Sequence, residues 1–538
     1  MRTTDEAAEI ARRSPRARGG KIWDAVVVGS GPNGLAAAIE LAGRGLGVLV
    51  LEGAPTVGGG MRTSEATLPG FFHDECSAIQ PLALLSPFFR GQPLWEHGLE
   101  WLTFSASVAH PLDDGPAPLL SRSLVETGER LGEDARRWRG LVGPFLSESK
   151  AGDDTRGREQ QGDPRNCATE PPADRLEAPG RLPDRTADLF ADLLEAPGRL
   201  PRLPLLSSRR PLQLARFGLR GLRSAAGLAN AKLKTAPARA LFAGCAAHSV
   251  LPLEKPGTAA FGLVFALAAH AVDWPCARGG SGSIAAALVS RLRQLGGSIE
   301  TGQPVRGFRD LPASRVVLFD LAPKPFAALA DGELPPGYLA RLRRFRYGPG
   351  AFKLDWALDG PIPWRDAAVG GASTVHVGGT LEEIAASERD AWEGRVAERP
   401  FLIVCQQSAA DPGRAPEGKQ TGYAYCHVPN GCDVDMTERI ERQIERFAPG
   451  FRDRILARRA LAPADFQRLN PNLVGGAITG GAATLRQLVA RPVLRWSPYA
   501  TPDPRLFLCS ASTPPGGGIH GMCGLHAARA AMTRLGAA

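Results

Sequence analysis

The nine cysteines of this 538-residue chain form no CxxC pair and no metal-ligand spacing, and their number is odd. In a chain without an export signal, such a set points to free, mostly buried thiols in a reducing, cytoplasmic compartment. It argues against a disulfide framework and against a metal site. No apolar run reaches the ~20 residues of a membrane span. The longest, Thr258 to Val272, reads as a buried core helix. Met1 to Lys21 is Arg-rich but carries no apolar segment, and Asp5, Glu6 and Glu9 argue against a mitochondrial presequence, so residues 1–21 read as a disordered leader. The formal charge is +9, yet Arg is scattered rather than gathered with aromatics in one stripe. Nucleic acid is therefore disfavoured as a partner, and peripheral contact with an anionic membrane surface is the weaker expectation that remains. No acid/base pair stands out, so no catalytic residue is assigned.

What is present begins with a buried strand. Ala25 to Val28 is a short apolar, largely β-branched run of the kind found inside a parallel sheet. It ends in Gly29, Ser30, Gly31, Pro32, Asn33 and Gly34, and Leu35 to Ala42 continues as an Ala/Leu-rich helix. In such a turn the first glycine lets the chain reverse, the second lets a pyrophosphate approach bare backbone, and the third lets helix lie close on strand. The free N–H groups of the helix start then face the phosphates. A second strand, Gly47 to Leu51, ends in Glu52, whose carboxylate can accept both ribose hydroxyls and would repel a 2′-phosphate, disfavouring NADP. A lone GxGxxG is weak evidence; with strand, helix and acid in place it predicts a dinucleotide site rather than a plain turn.

Two further glycine clusters extend the pattern. Gly58, Gly59, Gly60, Met61, Arg62 and Thr63 offer close backbone approach and a guanidinium for the diphosphate or the flavin edge. A nicotinamide dehydrogenase has no need of them, whereas FAD lies extended and is contacted along its length. Near the C-terminus, the strand Arg505 to Ser510 leads through Ser512 into Gly516, Gly517, Gly518, His520, Gly521 and Met522, then a helix from Leu525 to Leu535. This is a second glycine turn at a helix start, suited to an anion or a reduced flavin ring. The backbone at Val305 is the expected contact for the adenine.

Length suggests two or three domains. Residues 22–85, 273–345 and 495–538 read as one FAD-binding domain, and 86–272 with 346–494 as a substrate domain. The fold class is α/β: a discontinuous Rossmann-like FAD-binding domain plus an inserted substrate domain with a mixed or antiparallel sheet and helices. Period-two alternation around Phe352 to Trp356, Thr374 to Val377, Phe401 to Cys405 and Tyr423 to His427 supplies that sheet. Gly280-Ser281-Gly282-Ser283 mimics a nucleotide fingerprint, but no buried strand precedes it; it reads as a helix start that returns the chain to the first domain. Residues 147–205 read as a flexible insertion, because 150–175 lack large apolar side chains and Leu176–Pro183 recurs as Leu194–Pro201.

The first fingerprint, Gly58 to Arg62, Phe72-His73-Asp74-Glu75-Cys76-Ser77-Ala78, Ala351 to Leu358, Tyr425 to Gly431 and Ser512 to Met522 together resemble the phytoene desaturase-like FAD-dependent oxidoreductases. The likeness is to the branch of pyridine nucleotide-disulfide oxidoreductase domain-containing protein 2, and it runs over nearly all of 22–535 except roughly 147–190. It implies an FAD domain built from three separated stretches, a substrate domain of the amine-oxidase or carotenoid-desaturase type, and flavin redox chemistry on an apolar, polyene-like small molecule. Gln80, Leu473, Ala477 and Leu525 stand where that branch more often carries polar or aromatic groups. An FAD protein of low turnover with a regulatory or partner-binding role, a flavin amine oxidase and an NAD dehydrogenase stay open beside the desaturase reading.

Several single residues have a sharp and a bland reading. His520 either borders the flavin or bonds its own loop, the second being preferred. His73 and Asp74 either shape the pocket or stabilise a turn. Lys353 resembles the lysine of some flavin amine oxidases, but its place on an alternating strand favours a solvated face. Cys76 and Cys523 read as buried thiols rather than redox partners of a flavin.

Overall fold

Strand Trp23–Val28 is fully buried over its last four residues because it is covered on both faces, and it lies at the centre of a five-stranded parallel sheet. The computed structural model describes residues 21–146, 184–195 and 208–537. The sheet order is Leu506–Leu508, Ser314–Phe319, Trp23–Val28, Val48–Leu51, Ser298–Glu300. Successive strands extend to one side of Trp23–Val28 and later ones to the other, so the carboxyl ends open at a topological switch point, where α/β sheets bind ligands. In that register Val28 lies beside both Leu51 and Phe319, which brings Gly29, Glu52 and Asp320 out side by side.

Helix Pro32–Ala42 covers one face of the sheet and is crossed by helix Met522–Leu535 at a glycine. A Cβ on Gly524 would lie 1.8 Å from the Asn33 carbonyl oxygen, so the two ends of the chain are held in direct backbone contact. Helix Ser281–Gln294, the fingerprint mimic, packs against the same Pro32–Ala42 helix.

A second sheet of seven strands is mixed. Its order is Ile455–Leu461, Gly350–Leu358, Gln420–Val428, Leu402–Cys405, Ala372–Val377, Ala106–Ala109, Leu119–Leu120. All neighbours are antiparallel except Ala372–Val377 with Ala106–Ala109. Helices Ala236–Ala247 and Thr258–Val272 pack together above it, the latter buried as its composition requires. Among the described residues no helix is long and apolar enough to cross a membrane.

The structure differs from the sequence reading in two places. All nine residues of Gly350–Leu358 are buried, so Lys353 is no solvated face residue: strands on both sides and cover on both faces leave it 2% exposed. Within the stretch read as a flexible insertion, Asp184–Glu195 is a helix that buries Leu189 and Phe190, each worth about 1.5–3 kcal/mol. The leader up to residue 20 and the rest of the insertion, with most of its repeated octapeptide, lie outside the described residues.

Candidate functional site

A single cavity of about 960 Å³ runs from the carboxyl ends of the parallel sheet to the face of the mixed sheet. At the sheet end, the Gly29–Gly34 turn is shaped by contacts that admit no side chain. A Cβ on Gly34 would lie 2.1 Å from the Gly29 carbonyl oxygen, and one on Gly31 2.5 Å from Asp320 Oδ2. Glu52 closes the neighbouring wall. Its Oε2 accepts from the Ser30 amide at 2.9 Å and the Ser30 hydroxyl at 2.6 Å, and its Oε1 accepts from the Ala54 amide at 2.8 Å. Arg62 reaches to 3.5 Å of the same carboxylate.

Asp320, which the sequence reading did not single out, accepts from the Gly34 amide at 3.0 Å. Burial, with the Glu52 charge nearby, pushes its carboxyl up to about 7. Its signal was positional: it is the first residue after a second β-branched strand, the place that Gly29 and Glu52 hold on theirs. Of the segment 466–480 the sequence reading named only Leu473 and Ala477, and Leu473 lines the cavity. Asn472 ties the segment to the sheet, its Oδ1 accepting from the Ala322 amide at 2.8 Å and its Nδ2 donating to the Asp320 carbonyl at 2.9 Å.

Of the residues expected to hold cofactor, Gly29, Ser30, Gly31, Pro32, Asn33, Glu52, Gly59, Gly60, Met61, Arg62, Val305, Ser512 and Gly518 line this cavity. The N-terminal and C-terminal glycine clusters therefore share one groove. Gly34, Thr63, Gly517, His520, Gly521 and Met522 stand behind its wall. Thr63 donates to Asp74 and accepts from the Gly282 amide. Gly517 sits where a Cβ would be 2.4 Å from the Thr479 carbonyl oxygen, and Gly521, at φ +67, packs on Phe88. The His520 ring is bonded within its loop, donating from Nε2 to the Gly516 carbonyl and accepting the Met522 amide at Nδ1; burial pushes it down to about 4.

A buried belt of charge lies alongside. Arg414 bridges Asp74 and Asp411, each at 2.9 Å. Burial would raise the Asp74 carboxyl, but Arg414 and the Ser281 and Thr63 donors outweigh it and hold it below the usual carboxylate range. Lys353, on the cavity wall, donates to the Asp74 carbonyl and to Asp355, both at 2.6 Å, and stands 4.4 Å over the Tyr423 ring. Asp74 is thus structural, while Lys353 joins belt to cavity. Cys76 also lines the cavity, its thiol pushed up to about 11 by burial. Cys523 is bonded to the Thr513 and Gly516 carbonyls.

The far end is apolar and was not legible in the sequence. His248, Phe265, Trp274, Ile403, Tyr423 and Tyr425 form its walls. The His248 ring stacks on Phe265 at 4.4 Å and meets Trp274 edge-on at 5.4 Å.

Comparison with known proteins agrees with this geometry. Residues 27–80 match the NAD(P)-binding Rossmann-like domain family. Along 565 residues, 94% of this chain and 92% of its relative, the sequence is 28% identical to mouse pyridine nucleotide-disulfide oxidoreductase domain-containing protein 2. The chain is a homologue of that protein. Among solved structures, an oxidoreductase from Methanosarcina mazei aligns with TM-score 0.58 at 16% identity over 95% of this chain and 99% of its own. Cyclohexylamine oxidase from Brevibacterium oxydans aligns with TM-score 0.54 at 12% identity over 96% and 100%. At those identities the structures establish the fold alone: a Rossmann-like domain joined to a mixed sheet, as in cyclohexylamine oxidase.

Proposed function

We propose that this homologue is an FAD-dependent oxidoreductase of the dehydrogenase or desaturase type, taking hydride from an apolar, isoprenoid-like substrate. The observation that carries the reading is the continuity of one cavity with a glycine-and-carboxylate end and an aromatic end. The residues present fit a dinucleotide. Asn33 Oδ1 and Arg62 Nε, both on lining residues at the glycine end, are buried without a hydrogen-bond partner, and Gly29, Gly31, Gly59 and Gly60 line the cavity there with no side chain to keep a ligand off the backbone. The Gly29–Gly31 turn and Arg62 would hold the diphosphate, Glu52 the adenosine ribose, Val305 the adenine, and Ser512 with Gly518 the ring side.

Bound there, FAD would supply an acceptor for the hydrogen and electron pair of a substrate C–H bond. The chain's task is positional: the aromatic walls orient the reacting carbon and exclude water, while the proton lost from the neighbouring atom leaves by solvent. A flavin amine oxidase is the second reading, favoured by the fold likeness and by the Tyr423, Tyr425 and Trp274 rings around the far end.

The visible spectrum of the purified protein, with mass spectrometry of the molecule released on denaturation, tests the cofactor. A yellow protein releasing FAD is expected; a colourless protein that binds NADH would overturn the reading. Anaerobic incubation with isoprenoids and with amines then separates the substrate classes. Bleaching by neither would instead favour a flavin protein of low turnover.

A further inference from the structure

Three histidine rings follow one another at the apolar end, tilted and edge-on: His248 on the cavity wall, then His376 and His110 behind it. The His248 and His376 Nε2 atoms are 3.0 Å apart, so one carries a proton and the other accepts it. Which one is decided by the far side of His376. Its Nδ1 has no hydrogen-bond partner and is pressed against helix Ala236–Ala247 at Gly244, where even a Cβ would come within 2.4 Å. An N–H aimed into that contact would be a buried donor without an acceptor, which is rarer and costlier than a bare lone pair against a C–H. His376 therefore keeps its proton on Nε2 and donates it to His248. His110 obeys the same rule. Its Nε2 donates to the Gly379 carbonyl at 2.7 Å, and its Nδ1 is bare and unpartnered.

The consequence falls on His248. With Nε2 occupied as an acceptor, a neutral ring must hold its proton on Nδ1, which bonds to no described residue. Burial pushes both His248, to about 3, and His376 well down, so neither ring takes a second proton at neutral pH. We infer that His248 presents a fixed N–H donor to the apolar end of the cavity, and that the substrate is an apolar molecule bearing an oxygen acceptor, a carbonyl or hydroxyl, rather than a bare hydrocarbon. The inference rests on the reading of that end as the substrate's place. It narrows the substrate class: a hydrocarbon would leave this N–H unpaired, and a site built around a donor discriminates against ligands that cannot use it. His376 is a positioning residue, fixing the tautomer without touching the ligand.

The tautomer is measured directly by long-range proton–nitrogen correlation on the full chain labelled with 15N-histidine. Nδ1–H is expected at His248 and Nε2–H at His376 and His110; Nε2–H at His248 overturns the inference. That measurement needs no substrate and no flavin, so a colourless protein would sink the functional reading while leaving it intact. The ligand consequence is read with 2-decanone and decane as probes. His248→Phe is expected to weaken 2-decanone by about three- to tenfold, the usual worth of one hydrogen bond, and to leave decane unchanged. In the wild type the bound ketone's carbonyl stretch is expected to shift to lower frequency, and in His248→Phe to return. Equal effects on both probes, or an unshifted carbonyl in the wild type, would overturn it.

Discussion

The two ends of the cavity were written in different ways. At the glycine end, Gly29, Gly31 and Glu52 sit within one strand-turn-helix-strand unit of about thirty residues, so spacing alone announces them. At the apolar end, His248, Phe265, Trp274, Ile403 and Tyr423 come from four separate stretches, and each looks like an ordinary core residue where it stands. The turn is legible because it closes on itself, Gly34 being demanded by the Gly29 carbonyl five positions away, although Gly29 and Gly31 also meet Asp320 far off in sequence. A pocket assembled by tertiary packing leaves no such mark.

The sharpest way to break the glycine end is Gly34→Ala. Its new Cβ would meet the Gly29 carbonyl oxygen at 2.1 Å, a backbone atom with nowhere to move, so the helix must lift from the strand. A loss of about 4 kcal/mol or more in denaturant unfolding is expected, with no bound dinucleotide after purification. A protein that keeps normal stability and its bound dinucleotide would refute the close-packed turn. His520 and Thr63 show the limit of legibility even here: proximity in sequence to a glycine turn does not say which side of the wall a side chain takes.

Between the ends, the charged belt should respond more moderately. Arg414→Met removes the cation that bridges Asp74 and Asp411 and leaves two buried carboxylates without its counter-charge. About 3–5 kcal/mol of stability is expected to go, and a triple substitution that also replaces both acids with apolar residues should recover much of it. Nothing in the sequence tied Arg414 to Asp74, which are 340 positions apart. Lys353 was misjudged for a related reason: apolar residues alternating with Lys353 and Asp355 imitate a half-exposed strand, whereas the polar face is buried and neutralised by its own ion pair.

Asp320 makes the glycine end sensitive to pH. Its carboxyl is raised to about 7 in the folded chain from an ordinary value near 3.8, chiefly by burial. A carboxyl raised on folding contributes fully at low pH and loses that contribution as pH climbs through the folded value. The protein should therefore weaken progressively from about pH 4, where the unfolded carboxyl ionises, to about pH 7, by on the order of a few kcal/mol, and level off above. Dinucleotide affinity should fall as pH climbs through about 7, because a new negative charge then appears beside the glycine turn. Asp320→Asn keeps an oxygen for the Gly34 amide and should flatten both profiles. An unchanged slope in that variant would move the titration elsewhere.

The smallest effect is expected at the boundary of the two ends, where Cys76 lies against Gly60 with its sulfur 3.4 Å from the position a Cβ there would take. Burial holds its thiol up near 11, so at pH 8 only about one molecule in a thousand carries the reactive thiolate. Iodoacetamide should leave it unmodified under native conditions, and Cys76→Ala should change ligand affinity less than twofold. Rapid alkylation of this one thiol at pH 8 would mean that the wall is open to solvent at its middle. The polar and apolar ends would then be two sites rather than one continuous chamber, and the reading that spans them would lose its footing.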